Sequence, residues 1–250
     1  MNTLNRRLYD AAAGRAGQLR IEYICMGLGY TAVTLEDGGI GVAYTYFDSK
    51  TGCTLIRDYQ DFEGRPAAEL LALIESRDHL QRSMALALIN ALNYSQLQHM
   101  PTDQNNDMLI DALEIDRGSK VAMVGFIKPL VTLLESKGAD VEVIDEFREM
   151  GAKDHFYQRL AHWADAALIT STTILNSTME EILDQVGTRV RTALLGPSTP
   201  MVARAFSAWP AIRALAGIFP FEKAGVLRAV RHGLGTPHLH RHCRKITLIL

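Results

Sequence analysis

The sequence predicts an α/β fold, a Rossmann-like parallel sheet covered by helices and preceded by a small α+β unit. Three observations carry that prediction. Residues 21–47 hold three short runs of β-branched and aromatic residues separated by glycine-bearing turns, the pattern of an antiparallel meander. From Gly118 onward, short apolar runs alternate with helical stripes, and strands joined by crossover helices imply a parallel sheet. The chain has 250 residues, 48% hydrophobic and 22% charged, which excludes intrinsic disorder. That length suits one large domain or two of roughly 100 to 150 residues.

Residues 2–18 place Leu4, Leu8, Ala11 and Ala12 at helical spacing. Strands are expected over 21–26, 30–35 and 40–47, with Asp37-Gly38-Gly39 as the turn between the last two. Pro66 stands where a helix start tolerates it, so 67–75 reads as helix. A second helix, 79–98, sets Met84, Leu88, Ala91 and Leu92 on one stripe. The polar segment 101–107 is the linker candidate and 108–113 packs again, which divides the chain into 1–112 and 113–250. Beyond it come a strand at 120–124, a helix at 129–136 ended by Gly138, and a strand at 141–144 closed by Asp145-Glu146, one βαβ unit. A strand at 166–169 leads through a hydroxyl-rich loop to a helix at 179–186. Another at 191–195 leads through 196–200 to a helix ending near Ala208, and a last strand covers 215–219.

Charge and cysteine content exclude several classes. A formal net charge of -2 supplies no global field to draw the chain onto nucleic acid or an anionic membrane. No apolar run approaches the roughly 18 to 20 residues of a membrane span, and the first residues carry charges where a signal peptide is apolar. A cytoplasmic protein is expected. Cys25, Cys53 and Cys243 are odd in number, far apart and never in a C-x-x-C pair, so buried thiols are expected instead of disulfides or a cysteine zinc site.

In open parallel sheets the ligand crevice lies beyond the carboxyl ends of the strands. After the first such strand comes Gly125-Phe126-Ile127-Lys128-Pro129, with a single glycine where dinucleotide folds use G-x-G-x-x-G, so a tight pyrophosphate approach is not encoded. Asp145 lies 20 residues beyond Gly125, where a carboxylate can accept ribose hydroxyls, or else end the strand in solvent. An adenosine-like ligand is expected to bind more readily than a dinucleotide. Gly27 and Gly29 fall in the meander and carry no phosphate signature. The third and fourth strands run into the hydroxyl-rich loops 170–178 and 196–200. Helix capping explains part of this, with Ser177 and Glu180 as a capping box and Ser198 or Thr199 as an N-cap before Pro200. Capping uses one hydroxyl per helix, whereas several crowd these adjacent loops, which suits an anionic or carbonyl-bearing ligand.

These segments also carry a resemblance. VAMVGFIKPLV at 121–131, ALITSTTILNSTMEEIL at 167–183 and LLGPSTPMV at 194–202 resemble the conserved blocks of the Rossmann-like "putative heavy-metal chelation" family, a domain of unknown function. GLGYTAV at 27–33, GIGVAYTY at 39–46 and ALINALNY at 87–94 resemble the enolase-N-terminal-like module that often precedes it. The resemblance implies two domains with a shared cleft. It carries over Thr170, Thr172, Thr173, Asn176, Pro197, Ser198 and Thr199 as cleft residues, faced by Thr31, Asn90 and Asn93 of the first domain. It also implies metal handling and, more loosely, corrinoid metabolism. Ser171 stands where the family has a glycine, which narrows backbone freedom in that loop.

His238, His240 and His242 near the C-terminus are candidate ligands for a transition metal ion. Imidazoles two apart project from one side of an extended segment and can share an ion. The interspersed Arg231, Arg241, Arg244 and Lys245 oppose a dication, and a basic solvated tail is the alternative. The first functional reading is therefore a metal-complex or small-molecule binding protein with its site between the domains. The alternative is an enzyme using a nucleotide-like or methyl-donor cofactor. A scaffold role ranks third and dinucleotide oxidation last, and a homodimer is compatible with each. No nucleophile elbow, H-E-x-x-H or P-loop lysine motif appears.

Overall fold

The first helix, α1 (Leu4–Ala16), begins where the Thr3 hydroxyl accepts the Arg6 N–H at 3.2 Å, and it buries Leu4, Leu8, Ala12 and Ala16 along one face. The computed structural model describes residues 3–47, 56 and 60–250. Cys25 and Cys243 are buried free thiols, and Cys53 lies outside the described residues.

β1 (Ile21–Met26), β2 (Tyr30–Leu35) and β3 (Ile40–Tyr44) form the expected antiparallel sheet in that order. Asp37 Oδ1 accepts the Gly39 N–H at 2.9 Å, and Gly38 takes φ +87, so the turn residues act as their types predict. α2 (Ala67–Leu71) tightens into a 3-10 turn (Ala72–Glu75). α3 (His79–Leu92) follows, its start capped by Asp78 Oδ1, which accepts from the Leu80 and Gln81 amides at 2.8 and 3.1 Å. α3 lies across β2 and β3 at close range, since a Cβ on Gly41 would stand 2.1 Å from the Ala91 backbone nitrogen. The helix expected to reach residue 98 stops at Leu92, and α4 (Tyr94–Leu97) makes a separate turn.

The segment expected to be a linker is docked. Asp103 is buried, its carboxylate accepts from the Met108 and Leu109 amides and the Thr247 hydroxyl, and its own N–H donates to Lys245 O at 2.8 Å. α5 (Asp107–Ala112) follows at once. The remaining elements are β4 (Lys120–Val124), α6 (Lys128–Ser136), β5 (Asp140–Ile144), α7 (Lys153–His162), β6 (Ala166–Thr170), α8 (Met179–Asp184), β7 (Arg191–Leu195), β8 (Ile212–Pro220), α9 (Lys223–Arg231), α10 (Thr236–Leu239) and β9 (Cys243–Ile249). They build a six-stranded sheet, β5-β4-β6-β7-β8-β9, parallel except for β9. The mixed α/β fold class is as predicted, with α7, α9, α10 and β9 added.

Alternate strand residues serve two apolar layers. Val121, Met123 and Leu168 pack with Leu109, Leu130 and Leu134 on one face. On the other, Ala122, Ile169 and Leu194 join a core that runs on through Leu8, Leu88 and Phe206. The two sheets are thus held by one continuous apolar core. Among the described residues, no helix is long and apolar enough to cross a membrane.

Candidate functional site

The strand order turns the chain back on itself between β4 and β6, because β4 connects outward to β5 and β5 crosses over to β6. Loops leaving neighbouring strands in opposite directions open a crevice at their carboxyl ends. A cleft of about 550 Å3 lies there, walled by residues following β4, β5 and β6 and by Tyr44 from the meander. Gly125 ends β4 with φ +86, and a Cβ on it would stand 2.8 Å from Thr170 Cγ2, so only glycine lets these loops close together.

Asp145 is neither solvated nor idle. Its buried carboxylate accepts the Phe126 N–H at 2.8 Å and the Arg148 N–H at 3.1 Å, and pairs with the Arg148 guanidinium at 2.6 Å. It is a strut between the loops after β4 and β5, with most of its lone pairs committed. The loop after β6 opens with a 3-10 turn (Ser171–Ile174) capped by the Thr170 hydroxyl. Thr170 Oγ1 and Thr172 Oγ1 lie 3.1 Å apart, Thr173 Oγ1 donates to Thr170 O at 2.6 Å, and Asn176 Oδ1 accepts from the Thr178 hydroxyl at 2.8 Å.

The predicted residues divide into two groups. Gly125, Asp145, Thr170, Thr172, Thr173 and Asn176 all border the cleft. Thr31, Asn90, Asn93, Pro197, Ser198 and Thr199 do not border it; Ser198, Asn93 and Asn90 bond across the joint between the two sheets, while Thr31 and Thr199 bond within their own units. Ser198 Oγ accepts the Tyr44 N–H at 2.8 Å, Asn90 donates to Val42 O at 2.9 Å, and Asn93 donates to Met201 O at 2.6 Å. Thr199 Oγ1 meets Ser171 Oγ, and Thr31 Oγ1 meets Thr45 Oγ1, each at 2.9 Å. Asn90, Pro197 and Thr199 border a void of about 10 Å3. A buried polar group must find a partner, and these have found theirs inside the fold, some of them across the joint.

Both helix-cap expectations are corrected. Ser177 takes φ +62 and its hydroxyl accepts from Arg82, while Glu180 reaches the Leu4 amide at 2.7 Å, so the two form no capping box. Loop 196–200 opens no α-helix; only a 3-10 turn (Ala203–Phe206) follows, since Ser198 and Met201 are drawn toward the first sheet.

The histidine expectation rested on an extended segment, and the chain there is helical instead. His238 lies on α10, and His240 and His242 on a 3-10 turn (His240–His242). His242 Nδ1 sits 2.7 Å from Glu222 Oε2, a carboxylate that the sequence alone did not place there. Cys243 beside it is no ready thiolate, because burial pushes its thiol up to about 12.

Sequence requirements missed Glu146, Phe147, Arg148 and Lys153 as residues of the cleft. The signal was an isolated phenylalanine within Asp145-Glu146-Phe147-Arg148-Glu149, directly after a strand.

Residues 108–249 match a family profile described as "Putative heavy-metal chelation", and residues 9–93 match a second profile with the same description. The chain belongs to this family. A family member of unknown function from Pyrococcus horikoshii has a crystal structure that superposes with a TM-score of 0.82 at 20% identity, covering 99% of this chain and 100% of that one. Another, from Desulfitobacterium hafniense, gives 0.77 at 20% identity over 97% of each chain. A protein of Methanocaldococcus jannaschii named only as uncharacterized is 26% identical over 211 residues, 81% of this chain and 80% of its own.

The family description asks for soft or borderline ligands gathered at one point. Among the described residues of this family member, no three His, Cys, Asp or Glu side chains gather to hold a metal ion. The cleft offers hydroxyls, an amide, the Asp145 carboxylate already bonded to protein donors and the exposed carboxylate of Glu146. A bare ion has no ligand set there.

Proposed function

We propose that this chain binds a small molecule, or a metal already held in an organic complex, in the cleft where its two sheets meet, and that it does so in the cytoplasm. One observation carries the reading. The hydroxyls of Thr170 and Thr172 face the cleft with hydrogen-bonding capacity to spare, while their counterparts at Ser198 and Thr199 are consumed inside the fold. The cleft volume falls within the roughly 300–1,000 Å3 typical of small-molecule sites. The family description is met by a chelated metal, since the complex brings the donor atoms that the cleft lacks.

Native mass spectrometry with metal analysis on the untagged protein as isolated tests this. The expected result is one small-molecule adduct, with or without a metal, that diminishes in Thr172→Ala. An adduct retained in full by that variant, or metal bound with no organic component, would count against the proposal.

A further inference from the structure

Two features of the cleft are left unexplained by its hydroxyls. The first is an aromatic ring in solvent. Phe147 is 68% exposed, and of the exposed large apolar side chains among the described residues it alone borders the cleft. The turn that presents it is fixed, because Asp145 and Met150 exchange both backbone hydrogen bonds at 3.0 Å around it. Its ring leans on Tyr46, with centroids 5.7 Å apart at 61°, and Tyr46 meets Tyr44 at 6.2 Å and 76°. A large apolar surface held rigidly in water beside a cavity marks a contact made with something else.

The second feature is charge. Arg148 is matched by Asp145 at 2.6 Å and Lys153 by Glu181 at 2.7 Å. Glu146 borders the same cleft, is exposed, and makes no ion pair among the described residues. The unopposed charge at the end of β5 is therefore negative. Two amides of the turn where a phosphate could be cradled are also spent: Gly125 N–H donates to Ile144 O and Phe126 N–H to Asp145, each at 2.8 Å, and Pro129 has none.

Resting on the cleft as a ligand site, we infer that its ligand is nucleoside-like: a planar heteroaromatic ring stacked on Phe147, with vicinal hydroxyls donating to Glu146, and no phosphate. Glu146 takes the diol-binding part that a strand-end carboxylate plays in such folds, because Asp145 is committed to the loop.

Calorimetry on the full chain with adenosine, guanosine and cytidine, their 5′-monophosphates and 2′-deoxyadenosine tests it. At least one nucleoside should bind, and its monophosphate should bind about tenfold more weakly or worse, given the unopposed Glu146 carboxylate and the spent Gly125 and Phe126 amides. Phe147→Ala should weaken that nucleoside by about tenfold, the usual scale for losing one base–aromatic stack. Glu146→Gln should weaken adenosine severalfold more than 2′-deoxyadenosine. Both side chains are exposed, and unfolding midpoints confirm that the variants fold. Monophosphates binding as tightly as nucleosides, binding indifferent to Phe147→Ala, or no nucleoside binding at all would each overturn the inference. A native adduct sensitive to Thr172→Ala would still uphold the ligand site in those cases, which separates the two failures.

Discussion

Gly125 and Thr170 meet across the point where the strand order reverses, close enough that a Cβ on the glycine would lie 2.8 Å from Thr170 Cγ2. The position also demands φ +86, so Gly125→Ala combines backbone strain with a steric wedge. We expect a loss of about 1–3 kcal/mol in urea unfolding. Thr170→Ser removes the clashing methyl, so in that background the alanine should cost less, with a coupling of at least about 0.5 kcal/mol. Additive losses would show that the contact plays no part.

Asp145→Asn replaces a carboxylate that holds two backbone amides and a guanidinium. The amide can keep one oxygen acceptor but presents an N–H toward another donor. Expected is a loss of about 1–3 kcal/mol, with hydrogen exchange at Phe126 and Arg148 quickening more than at β7. Unchanged exchange at those amides would contradict the strut.

Cys243 should resist alkylation. Burial alone raises its thiol from 9.0 to about 12, so at pH 8 almost no thiolate forms in the folded chain. The sign for stability follows from proton binding. Between pH 9 and 12 the folded chain keeps a proton that the unfolded chain loses, so this contribution is full below 9 and is lost as pH rises toward 12. Peptide-resolved iodoacetamide labelling should show Cys243 modified only upon unfolding. Cys243→Ala should flatten the alkaline decline measured by chemical denaturation.

The sequence made strands legible wherever short apolar runs followed one another, as at Val121 and Met123, whose alternation sorts them from Ala122. The cleft was legible in part for a topological reason: Gly125 and Thr170 end parallel strands, and such ends converge. Ser198 follows a strand just as Thr170 does, yet it turns away because its partner is the Tyr44 amide, far off in the chain. No local pattern records that pairing. α7 was written in the four-residue spacing of Phe156 and Leu160, both buried, within an otherwise polar stretch. The histidine run misled because its period was read as extended, although Pro237 after Thr236 is a helix-start signal.

Thr172 and Ser198 look equivalent as loop hydroxyls, and the structure predicts opposite consequences for their loss. Ser198 is buried, and Ser198→Ala leaves the Tyr44 N–H without its acceptor at the joint between the sheets. An orphaned buried amide costs about 1–3 kcal/mol, so the unfolding midpoint should fall while ligand affinity, measured well below that midpoint, changes little. Thr172 is half-buried and among the described residues its hydroxyl meets only Thr170 Oγ1 at 3.1 Å, so Thr172→Ala should shift stability by no more than about 0.5–1 kcal/mol. Its loss should instead weaken the bound small molecule by about threefold to tenfold, the scale of one hydrogen bond to a polar ligand. Thermal unfolding and ligand titration on the same preparations give both quantities. If Thr172→Ala lowered the midpoint as far as Ser198→Ala while leaving affinity intact, the cleft hydroxyls would belong to the scaffold, as Ser198 does, and not to a ligand site.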